Sequence, residues 1–220
     1  MRGRSPAQRI VFLGPPGAGK GTQASELARE LHVPHLSTGE LLRAAVAEGS
    51  PLGRSADGHM RAGRLVPDDL VLEILRERLG RPDAARGFLL DGYPRTEAQA
   101  ATLERLTALD VVVWFDVAPR TLTERLSGRW TCPRCGSVYN VAGRPPRTAG
   151  RCDLDGSELV QRPDDRPEAV EVRLKVFGEQ TAPLLEHYRR RGLLEVVDGS
   201  GTPSEVAARL RQLLGVPESL

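Results

Sequence analysis

Residues 14–22, Gly14-Pro15-Pro16-Gly17-Ala18-Gly19-Lys20-Gly21-Thr22, concentrate the residue types that hold phosphate. Glycines at this density let backbone N–H groups close around phosphate oxygens, and Lys20 supplies a mobile cation for the β- and γ-phosphates of a nucleoside triphosphate. One position departs from the common pattern. A Ser or Thr ordinarily follows the lysine to hold Mg²⁺, whereas here Gly21 follows it and the hydroxyl comes one place later, at Thr22. An acid that could compensate is Asp91, in Phe88-Leu89-Leu90-Asp91-Gly92-Tyr93-Pro94-Arg95, because Mg²⁺ keeps several waters and a carboxylate can hold it through that shell. The competing reading of Asp91 is an ordinary strand-ending Asp turn.

A second group has metal-ligand spacing. Cys132-Pro133-Arg134-Cys135-Gly136 sets two thiols three residues apart, with a glycine that permits the tight turn, and Cys152-Asp153-Leu154-Asp155 repeats the spacing with Asp in the last place. Structural zinc takes four tetrahedral ligands. The histidines, His32, His35, His59 and His187, lie outside this stretch, so Asp155 is the residue whose spacing completes the set. Asp is a harder ligand than Cys, and the alternative is three thiols left over from a site that no longer binds metal. A nucleic-acid zinc ribbon has less support, since only Trp130, Arg134 and Tyr139 accompany the cysteines.

The loop needs a strand before it and a helix behind it. The apolar run Ile10-Val11-Phe12-Leu13 and the helical spacing of Ala24, Leu27, Ala28 and Leu31 predict both, with the helix dipole adding positive potential at the phosphates. Further apolar runs at 88–90, 111–115 and 193–197 alternate with amphipathic stretches, the pattern of a parallel sheet covered by helices. Ligands of such sheets bind beyond the carboxyl ends of the strands, which predicts Asp91 and Arg95 beside the phosphate loop. Ser37-Thr38-Gly39-Glu40 has capping-box spacing and opens a helix toward Glu48. Residues 49–63, broken by glycines and Pro51, read as a small helical insertion able to move on the core. Residues 128–167 form a second insertion, and 168–191 read as a long helix bent near Gly178 and Pro183. Arg125 and Arg129 are four apart and, if the helix before that insertion extends that far, point from one face toward its end. By spacing alone Gln99 caps its own helix in Thr96-Glu97-Ala98-Gln99, and Thr38 has a similar ambiguity beside Ser37.

Composition bounds the rest. At 220 residues and 40% apolar content the chain can bury its own core as one α/β domain with insertions. A formal charge of +2 from 31 basic and 29 acidic residues gives no global field for nucleic acid. No segment approaches a membrane span, and Met1 to Gln8 is basic without the apolar stretch of a signal peptide, which predicts a cytoplasmic protein. Three cysteines in a reducing compartment argue against a disulfide framework. Only Lys20 and Lys175 are lysines, so the loop lysine looks chemically demanded while any single arginine is weak evidence.

Taken together, the loop at 14–22, Leu36-Ser37-Thr38-Gly39, Leu41-Leu42-Arg43, Asp91-Gly92-Tyr93-Pro94-Arg95-Thr96 and Arg162-Pro163-Asp164-Asp165 resemble the bacterial adenylate kinases of the long-lid type, over residues 10–203. That family pairs Lys with Gly in its loop, so Gly21 becomes a family trait. The resemblance implies a P-loop kinase core of parallel sheet and flanking helices at 1–36, 67–127 and 166–220, an AMP-binding insertion at 37–66, and a lid with zinc knuckles at 128–165. It puts ATP against Gly17, Ala18, Gly19, Lys20, Gly21, Thr22, Arg125 and Arg129, with Val138, Tyr139 and Gly201 bearing on donor choice. It puts AMP against Thr38, Arg43, Gly92, Arg95, Gln99, Arg162 and Arg173 and the backbone of Leu65 and Val66. Lys20, Arg95, Arg129, Arg162 and Arg173 would surround the transferring phosphoryl group, with Asp91 beside the metal.

The chemistry asks for such a cluster. Phosphoryl transfer spreads negative charge over equatorial oxygens, so catalysis is mostly positioning and electrostatic stabilisation. No general base is needed when the acceptor is an ionised phosphate. The implied reaction converts ATP and AMP into two ADP, with Mg²⁺ accompanying ATP and a structural Zn²⁺ on Cys132, Cys135, Cys152 and Asp155. Some members of the family have this three-cysteine set with an aspartate and others have no metal. The expected partners are ATP and AMP alone, with no nucleic acid, no membrane and a monomeric chain. Two rivals remain: a kinase of the same fold using another base, such as GTP to phosphorylate AMP, and a zinc-ribbon interaction protein that uses the loop as a nucleotide switch. The pairing of Asp91 with Arg95 speaks against the second.

Overall fold

The computed structural model describes residues 8–141 and 143–217, so the basic segment at the start of the chain lies, except for Gln8, outside the described residues. In chain order the first elements are β1 (Arg9–Leu13), α1 (Lys20–Glu30), β2 (His35–Ser37), α2 (Thr38–Ala47), α3 (Pro51–Arg61) and α4 (Asp68–Leu79). There follow β3 (Phe88–Asp91), α5 (Glu97–Leu106), β4 (Val111–Asp116), α6 (Pro119–Ser127) and the short strands β5 (Arg129–Thr131) and β6 (Val138–Asn140). The last are α7 (Pro167–Val176), a π-helical turn (Phe177–Thr181), α8 (Leu184–Arg190), β7 (Leu194–Asp198) and α9 (Pro203–Leu214). None of these helices is long and apolar enough to cross a membrane.

The five longer-range strands form one parallel sheet in the order β2-β3-β1-β4-β7. Both faces are covered, and the alternation of side chains along each strand divides the core into two layers. Ile10, Phe12, Leu89, Val113 and Phe115 pack with α1, α6 and α9, while Val11, Leu13, Leu90, Val112 and Trp114 pack with α4, α5 and α8. Phe12 and Phe115 meet edge to face at 4.9 Å between centroids. Each fully buried side chain of this kind contributes roughly 1.5–3 kcal/mol.

Register carries this packing to the site. Phe12 lies opposite Asp91, Ser37 opposite Asp91, and Leu13 opposite Trp114, so β1, β2 and β3 end along one edge of the sheet. The glycine loop leaves β1 at that edge, where the chain's direction of travel across the sheet reverses. The short β2, absent from the sequence reading, adds Ser37 and Thr38 to the same edge; Ser37 caps α2 by accepting from the Glu40 N–H at 3.3 Å. The final apolar run forms β7 one residue later than expected.

The long helix bends where expected, through the π-helical turn. Phe177 there packs on Trp114 at 5.5 Å, and the Thr181 hydroxyl donates to the Arg95 carbonyl at 2.9 Å. Residues 128–165 contain a separate antiparallel pair, β5 with β6, and their own buried cluster of Cys132, Tyr139, Cys152 and Leu159.

The α2–α3 pair shows why glycine sits inside a helix. Ser50 caps α3 by accepting from Gly53 N–H at 3.0 Å, and a Cβ at Gly53 would lie 2.0 Å from the Ala45 carbonyl oxygen. A Cβ at Gly58 in the same helix would meet nothing within 4 Å. Gly53→Ala should therefore cost about 1–3 kcal/mol through overpacking, whereas Gly58→Ala should gain up to about 1 kcal/mol of helix propensity. Calorimetric melting of the two variants checks this; equal shifts would remove the close-approach explanation.

Candidate active site

The phosphate loop is shaped by its neighbours. Gly14 and Gly17 have φ of 144° and 85°, and a Cβ on either would come within 2.9 Å of the carbonyl of Phe115 or Leu122. β4 and α6 thus press the loop from behind. Gly19, left-handed at φ 89°, starts α1 with no side-chain cap, so the first-turn N–H groups of that helix face the loop's concavity without competition from a capping oxygen. Ala18 is buried, and Thr22 is half-buried in the first turn.

Lys20 is the first residue of α1, and its ammonium donates to the carbonyls of Gly14 and Pro15 at 2.7 and 2.9 Å. Burial lowers its pKa to about 8, with Asp91 pulling upward and Arg95, Arg173 and Arg129 pushing further down. A Cβ at Gly21 would lie 3.4 Å from Asp91 Oδ2. The carboxylate of β3 therefore stands over the position where other phosphate loops carry their hydroxyl. Burial alone would raise the Asp91 pKa, but His35, Lys20 and Arg95 outweigh it and hold the group below the usual carboxylate range. His35 Nε2 is 3.9 Å from Asp91 Oδ2, and its Nδ1 lies 3.2 Å from the Ser25 hydroxyl.

Beyond the loop the structure gathers arginines from five elements. Arg129 pairs with the carboxylate of Asp165, its Nε donating at 2.7 Å. Arg173, in α7, donates to Asp165 at 2.9 Å and to Asp164 at 3.0 Å. Arg162 donates to the Thr131 hydroxyl at 2.9 Å; burial, with repulsion from Arg43 and Arg129, pushes its pKa down to about 9. Arg95 donates from Nε to Gly92 O at 2.8 Å, and burial followed by Arg173 lowers its pKa. Burial likewise lowers that of Arg43, in α2.

Arg125 and Arg129 do not share a helix face. Helix α6 stops at Ser127, so Arg129 opens β5 and turns to Asp165, while Arg125 donates to Gly199 O and Gly201 O at 3.0 and 3.1 Å. Gly128 is the C-cap of α6, so position 129 lies outside the helix.

A cavity opens between α2, α4 and the end of β3. Thr38, Arg43, Leu65, Val66, Gly92, Arg95, Gln99 and Arg173 all line it, with Asp164 at its rim, whereas Arg162 does not. Gln99 does not close a capping box. Its backbone N–H donates to Thr96 Oγ1 at 3.2 Å, but its side-chain oxygen accepts from Arg95 N–H at 2.7 Å and its amide nitrogen donates to Asp68 at 2.6 Å. The Thr38 hydroxyl donates weakly to Asp91 O at 3.4 Å; Ser37, not Thr38, is the cap.

In the 128–165 segment, one ligand atom from each of Cys132, Cys135, Cys152 and Asp155 lies within 4.8 Å of all the others. Cys135 and Cys152 Sγ are 3.5 Å apart and Cys132 Sγ is 3.4 Å from Asp155 Oδ2; a tetrahedral zinc with thiolate bonds of about 2.3 Å asks for edges of about 3.8 Å. The set fits that ion. Backbone N–H donation from Ser157 holds Asp155 far below the usual carboxylate range. Tyr139 is buried against this cluster, its hydroxyl 3.5 Å from Cys152 Sγ and accepting from Asp153 N–H at 2.8 Å, so toward the cleft it has only backbone to offer; Val138 beside it is half-buried.

Sequence reasoning missed Asp165, the carboxylate with no exposed side-chain surface on which Arg129 and Arg173 converge. Its one local trace is the acid pair Asp164-Asp165, separated from Arg162 by Pro163, which does not say which of the chain's many arginines it meets. It also passed over His35 and Asp68.

Comparison with known proteins agrees with this geometry. The family model described as "Adenylate kinase" matches residues 12–193. The chain is 49% identical over 212 residues to the adenylate kinase of Moorella thermoacetica, covering 94% of this chain and 98% of that one. It is 49% identical to that of Anaeromyxobacter sp. strain Fw109-5, covering 93% and 98%, and 48% identical to that of Symbiobacterium thermophilum, covering 92% and 96%. With nearly half its residues shared with these enzymes over more than nine tenths of its length, and the family model spanning residues 12–193, the chain belongs to the adenylate kinase family.

Proposed function

We propose that the chain is an ATP:AMP phosphotransferase, with ATP on the phosphate loop and AMP in the cavity beside α2 and α4. The observation that carries this reading is the set of cations around Lys20: Arg95, Arg173 and Arg129, from the β3–α5 connection, α7 and β5, all repel its ammonium on α1, and Arg95 and Arg173 also line the cavity. A γ-phosphoryl group passing from loop to cavity crosses that ground. Lys20 would exchange its loop carbonyls for phosphate oxygens, Arg43 and Arg95 would hold the acceptor phosphate, and Arg129, Arg162 and Arg173 would take up charge as it spreads in the transition state. Arg125, with the backbone of Val138, Tyr139 and Gly201, would border the donor base. Asp91, over Gly21, is suited to order the water shell of the Mg²⁺ that accompanies ATP; the ion supplies charge neutralisation at the β- and γ-oxygens.

The same reading assigns 1–36, 67–127 and 166–220 to the core, 37–66 to acceptor binding and 128–165 to a lid that excludes water when it closes. Cys132, Cys135, Cys152 and Asp155 would hold a zinc ion that stiffens the lid; four protein ligands leave it no open position for substrate. Reduced thiols at such a site suit the cytoplasm, and the chain is taken to act there as a monomer.

A coupled assay for ADP over a panel of donors and acceptors tests the activity directly. In it, Arg43→Ala and Arg95→Ala should each weaken AMP by about 1.5–3 kcal/mol and leave ATP nearly unchanged. The reverse pattern would mean that the two nucleotides are exchanged.

Lys20 sets a pH dependence. Its ammonium is present below about 8 and lost as pH rises through that value, so kcat/KM for ATP should fall between pH 7 and pH 9. Bound phosphates raise the pKa again, so kcat at saturating ATP should vary less. A flat kcat/KM across this range would deny Lys20 its role.

Elemental analysis should find about one zinc per chain. Chelation and Asp155→Ala should lower the melting temperature alike, with activity well below melting largely kept. Asp153, whose carboxylate accepts instead from Arg147 N–H at 2.8 Å, should tolerate Ala. An unchanged melting temperature on metal removal would make the cysteines bystanders.

A further inference from the structure

Gln99 is 3% exposed on the cavity wall, and its backbone is fixed at both ends: its N–H donates to Thr96 Oγ1, and its carbonyl accepts from the Tyr93 hydroxyl, each at 3.2 Å. Its side-chain amide has two partners from two different elements. Arg95 N–H, in the β3–α5 connection, donates to Oε1 at 2.7 Å, and Nε2 donates to Oδ1 of Asp68, the first residue of α4, at 2.6 Å. A backbone N–H only donates and an ionised carboxylate only accepts. Both partners therefore demand the same orientation, and exchanging oxygen for nitrogen would set donor against donor at Arg95 and acceptor against acceptor at Asp68.

A primary amide has two lone pairs on oxygen and two N–H groups on nitrogen. Arg95 and Asp68 use one of each, which leaves one acceptor and one donor in a fixed order for the cavity. The Watson–Crick edge of a 6-aminopurine offers acceptor N1 beside its 6-amino donor, the complement of that order. A 6-oxopurine offers N1–H beside an oxygen acceptor and needs the amide reversed. A base anchored through its phosphate at Arg43 and Arg95 cannot turn over to compensate.

We propose that Asp68 is a positioning residue that sets acceptor-base selectivity, by locking the Gln99 amide in the orientation that accepts a 6-aminopurine and refuses a 6-oxopurine. The proposal rests on the reading of this cavity as the AMP site. AMP and inosine monophosphate differ only at the 6-position and the N1 proton, so the probe is the ratio of their kcat/KM values, with KM for ATP and the melting temperature measured in parallel on wild type, Asp68→Ala and Asp68→Asn. Wild type should prefer AMP. Asp68→Ala should reduce that preference by about tenfold, chiefly through KM for AMP, with KM for ATP within about twofold of wild type. Asp68→Asn loses the charge at the start of α4 but keeps an acceptor oxygen, and should recover most of the preference.

An unchanged ratio in folded Asp68→Ala overturns the proposal while leaving the acceptor site intact. So does Asp68→Asn being as impaired as Asp68→Ala, which would assign the effect to charge at the helix N-terminus. A wild type that does not prefer AMP removes the acceptor reading itself, and the proposal with it. Should Asp68→Ala not fold, Asp68→Ser carries the same expectation, since its hydroxyl stops short of Gln99 but still suits a helix start.

Discussion

One constraint governs this cleft: cations must be held close together in a partly dry space before any anion arrives to neutralise them. Asp165 is what makes that possible. With no exposed side-chain surface it binds Arg129 from β5 and Arg173 from α7, and Asp164 beside it binds Arg173 again. Removing one partner of such a buried pair costs about 3–5 kcal/mol, because the other is left uncompensated. The carboxylates do not cancel the field. Burial first, and neighbouring guanidinium groups after it, still lower the pKa values of Arg43, Arg95 and Arg162, so these cations remain poorly compensated until a phosphate joins them. Arginine suits this better than lysine would, since it remains charged at neutral pH even when pushed down to about 9. Lys20, the exception, sits where a single compact charge is needed.

The phosphate loop obeys a related economy of space. Gly21 and Asp91 face each other: a Cβ on Gly21 would stand in contact with the carboxylate of β3, 3.4 Å from its oxygen. The polar oxygen that other phosphate loops supply from this position comes here from β3. Read this way, the departure from the common phosphate loop and the acid at the end of β3 are a single design, fixed by the register that sets Phe12 opposite Asp91.

The strands β1, β3 and β4 were legible because a strand buried on both faces needs an apolar run, whereas β7, at the sheet edge with only Val197 buried, was legible from its valines and leucine alone. β2 was not, because three residues are enough to reach Asp91 and the helix signal at Ser37 begins immediately. The phosphate loop and the metal ligands could be read as well, since their spacing is itself the geometry. Arg129 could share a face with Arg125 only if α6 ran as far as position 129, and spacing alone does not fix where a helix stops; it ends at Ser127. Asp165 and Asp68 were missed for another reason: Arg129 lies 36 positions from Asp165 and Gln99 lies 31 from Asp68, and no local pattern encodes a contact at that separation. Arg173, 8 positions from Asp165, is near enough in the chain but gives no sign of the pairing by itself.

Those distant contacts also tie the 128–165 segment to the core in a way that couples position to charge. At one attachment Asn140 Nδ2 donates to Arg125 O at 2.9 Å, satisfying a carbonyl that α6 would otherwise leave open at its C-terminus, and Gln161 Nε2 donates to Ser127 O at 3.2 Å. Arg125 in turn reaches the carbonyls of Gly199 and Gly201 after β7. At the other attachment Arg173 of α7 donates to the carboxylates of Asp164 and Asp165 at 3.0 and 2.9 Å. At both attachments, then, the bonds that join the segment to the core are made by a cleft arginine or by a residue within two positions of one, so the position of the segment and the placement of those charges are fixed by the same contacts.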